Sequence, residues 1–129
     1  MREISLRVLP DNYSVVKIDP GVDIPQTSGI VFYARTEDEI SLVCLERDVP
    51  SPVAAREDNW RILKIDGILD FSLVGILASI AGILAEQGIS IFAVSTFNTD
   101  YILVKSERLD DTVRALCDKG YEVIFPNIT

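Results

Sequence analysis

From Phe71 to Ala85 the chain reads FSLVGILASIAGILA without a single charge, and Asp70 and Glu86 bracket the run. A helix this apolar has no face suited to water, so the pattern predicts a core helix over residues 72–87, covered on more than one side. The run falls short of the roughly 18 residues that a bilayer span requires. Gly88, at the point where a left-handed cap is easiest, supplies its stop. Around this helix the periodicities fall into place. Trp60 opens a strand over residues 60–66, residues 67–70 form a loop, and residues 89–96 make a strand apolar on both faces. The tetrapeptide Phe97, Asn98, Thr99 and Asp100 is a hairpin-turn signal leading into a strand over residues 101–105. Leu109, Val113, Leu116 and Cys117 then trace the stripe of an amphipathic helix. Ser106 is its expected N-cap, Asp110 and Asp111 stand at its positive end, Lys119 at its negative end and Gly120 at its stop. Residues 121–125 form a last strand, ended by Pro126. The order is βαββαβ, a ferredoxin-like α+β arrangement with both helices on one face of an antiparallel sheet.

The first 59 residues predict strands and no helix. Residues 4–9 and 13–19 read as a hairpin about Pro10, Asp11 and Asn12. Residues 30–35 and 40–46 form a second hairpin about Thr36, Glu37, Asp38 and Glu39. Proline-bearing stretches over residues 20–29 and 48–59 stand where the two helices of a βαββαβ unit would be. Residues 1–59 are therefore expected to be a degenerate copy of the module at residues 60–129, and such a copy would cover the apolar helix.

Composition narrows the function more than the fold. The chain has 129 residues, enough for one good core or two small ones. A net charge of −8 argues against nucleic acid or an anionic membrane as partner, since both need a basic face. Histidine is absent, which removes the commonest general base and metal ligand and every Ser-His or Cys-His pair. No phosphate-cradling glycine loop or calcium-loop spacing occurs, so no enzyme activity, cofactor or metal site is expected, and Glu37, Asp38 and Glu39 read as a solvated turn. Cys44 and Cys117 lie in apolar surroundings and are expected to be buried free thiols. The N-terminal residues lack a secretory pattern, and a cytoplasmic location is expected.

Two features carry candidate chemistry. The backbone N–H groups at Ser72, Leu73 and Val74 stand at a helix N-terminus, where a carboxylate binds well, although Asp70 or Ser72 acting only as a cap explains the same residues. Gly75, Ser79 and Gly82 share one helical face. They suit either close approach of a neighbouring helix or ligand, or tight packing on the sheet, and leucine at Gly82 is expected to overpack it.

The phrase LDFSLVGILASIAGILAEQGISIFAVSTFNTDYILV, within the βαββαβ order, resembles the ACT domain, a small regulatory module that binds amino acids. The tandem arrangement is similar to small bacterial two-ACT proteins and, more distantly, to the CASTOR-type arginine sensors and the regulatory domains of aspartate kinases. The resemblance implies an amino-acid site made by Asp70, Phe71, Ser72, Leu73, Val74 and Gly75 together with Phe97, Asn98, Thr99 and Asp100. In that group the ligand lies between modules. Asp100 either pairs with a cationic group of the ligand or bonds to its own turn. No catalytic domain is attached, so a regulated target would be a separate protein. The rival expectation is a ligand-free module for docking or oligomerisation, a homodimer included.

Overall fold

The computed structural model describes residues 4–66 and 75–126. Eight strands and two helices follow one another as β1 (Ser5–Val8), β2 (Tyr13–Ile18), β3 (Phe32–Arg35), β4 (Ile40–Leu45), β5 (Ala55–Asp66), α1 (Ile76–Glu86), β6 (Ile91–Ser95), β7 (Asp100–Lys105), α2 (Leu109–Asp118) and β8 (Glu122–Ile124). They group into two compact units. One holds the described residues up to Pro10 and from Arg61 onward, and the other is Asp11–Trp60. The long strand β5 contributes its first half to the second unit and its last half to the first.

The larger unit has the ferredoxin-like arrangement, with a strand added. Its sheet order is β6, β7, β5, β1, β8, in which β1 runs antiparallel to β5 and parallel to β8. The expected hairpin of residues 4–9 with 13–19 is therefore incorrect, because β1 and β2 do not pair. The reason is in the alternation: Ile4, Leu6 and Val8 present one apolar face, and the register Leu6 to Ile65 and Val8 to Leu63 places that face in the larger unit's core. All three are buried there. Asp11, at a φ of 76°, turns the chain out of β1 in a conformation that aspartate tolerates better than most residues.

Both helices close on the same core, through Ile80 and Leu84 from α1 and Leu109, Ala115 and Leu116 from α2. Each ends alike. Ile89 N–H donates to the Leu84 carbonyl at 3.0 Å and Gly88 N–H to the Ala85 carbonyl at 3.0 Å, while Tyr121 and Gly120 repeat the pattern on Leu116 and Cys117 at 3.1 and 3.0 Å. This six-to-one and five-to-two pair needs a left-handed residue, and Gly88 (φ 69°) and Gly120 (φ 90°) supply it.

Three helix expectations are corrected. Ser106 does not cap α2, since residues Ser106–Arg108 form a 3₁₀ turn before the helix begins. The buried stripe of α2 is Leu109, Thr112, Ala115 and Leu116, so Cys117 falls on the exposed flank and only Cys44 is a buried thiol. Thr112 tolerates burial because its hydroxyl donates to the Arg108 carbonyl at 2.8 Å. Burial pushes the Cys44 thiol up to about 11, helped by the nearby Asp48 carboxylate and opposed by Arg56, so it stays protonated and inert. Third, α1 is not covered all round: only Ile80 and Leu84 are fully buried, while Ala78, Gly82 and Ala85 are exposed.

The exposed position of Gly82 reverses the overpacking expectation. A Cβ placed there meets nothing within 4 Å. Gly82→Ala should instead stabilise the chain by about 0.5–1 kcal/mol, because alanine loses less backbone freedom than glycine in a helix. A raised urea midpoint at unchanged slope is the expected reading.

The Asp11–Trp60 unit holds β2, β3, β4 and the first half of β5, with β2 flanked antiparallel by β4 and β5. The hairpin about residues 36–39 forms as expected, with Arg35 opposite Ile40. Its core is Val16, Ile18, Leu42 and Cys44. Residues 55–59, expected as irregular chain, are strand in β5.

Candidate functional site

Of the ten residues expected at the site, Asp70, Phe71, Ser72, Leu73 and Val74 lie outside the described residues. Gly75 sits at the start of α1 with a φ of 86°, and its carbonyl accepts the Ser79 N–H at 2.8 Å. The remaining four form the tip of the β6–β7 hairpin, whose last pair is Ser95 with Asp100.

The residue that closes this turn is one that the sequence reading passed over. Thr96 N–H and its Oγ1 both donate to the Thr99 carbonyl, at 2.8 and 2.9 Å, and its Oγ1 accepts the Thr99 N–H at 3.4 Å. A hydroxyl reaching three residues ahead is a local competitor for backbone bonds, so a threonine at the first turn position carried the signal. Thr99, 8 % exposed, donates its own Oγ1 to the Ile65 carbonyl at 2.5 Å. The hairpin tip is thereby fastened to the end of β5, one residue before Asp66 and the segment 67–74. Arg7 holds the Asp66 carboxylate in a partly exposed ion pair, a contact worth no more than about 1 kcal/mol.

With the turn closed by Thr96, the side chains at its apex are released from structural duty. Phe97 is 98 % exposed and Asn98 is exposed. Asp100 is half-buried, and its carboxylate makes no hydrogen bond or ion pair among the described residues. Thr99→Val should cost about 1–3 kcal/mol, because it takes the donor from a buried carbonyl while preserving shape. Urea unfolding measures it, and an unchanged midpoint would mean the tether carries no load.

Among the described residues, no group of three or more acidic, histidine or cysteine side chains is placed to hold a metal ion. Among them too, no helix is long and apolar enough to cross a membrane.

A family model for the ACT domain matches residues 55–118. The human protein described as cytosolic arginine sensor for mTORC1 subunit 1 is 35 % identical over 101 residues, which cover 71 % of this chain and 31 % of the sensor. The chain thus spans about a third of the length of the curated relatives it matches. A crystal structure of an Agrobacterium tumefaciens protein superposes with a TM-score of 0.89 at 32 % identity, covering 99 % of this chain and 97 % of that one. The regulatory subunit of aspartate kinase from Thermus thermophilus shares the fold at a TM-score of 0.61 and 10 % identity, over 91 % of this chain and 96 % of that one.

Proposed function

Because this chain belongs to the ACT-domain family, we propose that it binds a free amino acid at the Gly75 and Phe97–Asp100 end of the larger unit and conveys its presence to a separate protein. The observation that carries the reading is the Asp100 carboxylate, half-buried and unpartnered among the described residues, on a turn that other residues hold closed. A partly exposed carboxylate in that position is open to a cationic ligand group. The segment 70–74, which precedes α1 in the chain, would complete the site, its backbone N–H groups taking the ligand carboxylate. A cationic amino acid complements Asp100, and the likeness to a protein described as an arginine sensor makes arginine the first candidate. The protein is regulatory and cytoplasmic on this reading, with no chemistry of its own.

The two halves are read as tandem copies, the first reduced. Lys17-Ile18-Asp19 at the end of β2 matches Lys64-Ile65-Asp66 at the end of β5. Sixty positions separate Thr36 from Thr96, Ile40 from Asp100 and Glu46 from Ser106. Thr36 N–H donates to the Glu39 carbonyl at 2.9 Å as Thr96 does to Thr99. Strands β4 and β7 each run six residues, and each passes into a 3₁₀ turn, at Glu46–Asp48 and Ser106–Arg108. Where the larger unit has α1, the first copy has irregular chain over residues 19–31.

Thermal unfolding with each free amino acid in turn tests the reading. A ligand held only by the folded state adds about 2.7 kcal/mol at one hundred times its dissociation constant, so arginine should raise the midpoint where neutral amino acids do not. No response to any amino acid would reject binding. One observation favours a second reading in that event: the exposed small-residue face of α1, Ala78, Gly82 and Ala85, suits a docking or oligomerisation surface.

A further inference from the structure

We infer that Tyr121 is a positioning residue for the amino-acid site: its buried hydroxyl holds the first turn of α1 in the shape that the ligand meets. This rests on the site proposed at the start of α1.

That turn needs help from outside the helix. Glycine at the N-cap position has no side chain with which to cap α1, and Gly75 enters the helix at a φ of 86°. The turn closes through Ser79, whose N–H donates to the Gly75 carbonyl at 2.8 Å. The side chain of the same residue is held by another element, since Tyr121 donates its hydroxyl to Ser79 Oγ at 3.0 Å. Tyr121 stands between α2 and β8 and is 3 % exposed, its ring packed in the core of the larger unit. Its own N–H is fixed on the Leu116 carbonyl at 3.1 Å, at the stop of α2. The hydroxyl is thus aimed by a packed ring and a bonded backbone, and Ser79 passes that fixed point on to Gly75.

The fold does not ask for this pair. Ser79 is the only polar residue from Ile76 to Ala85, and serine is a poorer helix former than alanine. Phenylalanine at position 121 would fill nearly the same volume. Alanine and phenylalanine together would leave neither hydroxyl to satisfy, a double change close to neutral for folding. What the pair adds is order at the turn beside Gly75. A turn fixed beforehand loses less freedom when a ligand binds next to it, which raises affinity without a contact.

Calorimetric titration of the full chain with L-arginine tests the role in wild type, Tyr121→Phe, Ser79→Ala, the double variant and Asp100→Asn, with urea midpoints measured alongside. The double variant decides. Its stability should lie near that of the wild type, yet arginine should bind it about fivefold more weakly, the worth of one ordinary hydrogen bond. Each single variant should lose about as much, because either one removes the same bond. Without ligand, the Ser79 N–H should exchange with deuterated water faster in Tyr121→Phe than in the wild type, while the Ile89 N–H, at the other end of α1, keeps its rate. Wild-type affinity in the double variant would overturn the role, and so would equal acceleration of exchange at both ends of the helix. A loss of affinity in Asp100→Asn with none in the Tyr121 and Ser79 variants would remove this role alone and spare the site. Absence of arginine binding by the wild type would remove site and role together.

Discussion

Leu84→Ala should remove about 2–5 kcal/mol of stability, the largest single effect expected in this chain. Leu84 is fully buried on α1 and packs with Leu6, Val8, Leu63, Ile102 and Leu116 around the larger unit's core. Its removal would lose transfer energy and leave a cavity bounded by a sheet and a second helix that cannot close over it. The same residue's carbonyl accepts the Ile89 N–H that ends the helix, so the packing and the cap act at one place. Urea unfolding read by far-ultraviolet circular dichroism measures the loss. Ala78→Ser, on the exposed face of the same helix, is the control and should change stability by no more than about 0.5 kcal/mol. Equal effects at the two positions would mean that α1 is packed on both faces.

Asp100→Asn should weaken arginine binding by about 1.5–3 kcal/mol, the worth of a hydrogen bond to a charged group. Because Thr96 closes the turn and Thr99 anchors it to Ile65, the substitution leaves the backbone bonds of the hairpin untouched. Stability should therefore stay within about 0.5 kcal/mol of the wild type. Titration calorimetry separates the outcomes. A loss of affinity with an unchanged midpoint places Asp100 against the ligand. A loss of stability with unchanged affinity returns it to the hairpin.

The fold of the larger unit was legible because each of its elements carries its own period and its own punctuation. Gly88 and Gly120 stop their helices where the pattern stops, and residues 97–100 turn where two apolar runs meet. What escaped the pattern was long-range pairing. The alternation of Ile4, Leu6 and Val8 announces a strand but not its neighbour, and a nearby turn sequence made β2 the natural partner. The strand's buried face decided otherwise, since the larger unit had a place for it between β5 and β8. Within one chain, α1 is left partly uncovered for a related reason. Absence of charge over residues 76–85 was read as burial, whereas alanine and glycine at Ala78, Gly82 and Ala85 are small enough to stand in water at little cost. At the candidate site, Asp100 was legible as a carboxylate at a turn. The roles of Thr96 and Thr99 were not, because Asn98 and Asp100 carry the stronger turn propensity and threonine hydroxyls reveal their partners only in three dimensions.

The central claim is that a free amino acid sits at the start of α1 and the tip of the β6–β7 hairpin. Nuclear magnetic resonance of the nitrogen-labelled chain, titrated with L-arginine, tests it residue by residue. The expected result is a saturable shift of the backbone N–H signals of Ser72, Leu73, Val74 and Gly75 together with those of Phe97 to Asp100, lost in Asp100→Asn. Saturable shifts that leave all of these signals in place, or no shift at any residue, would contradict the claim.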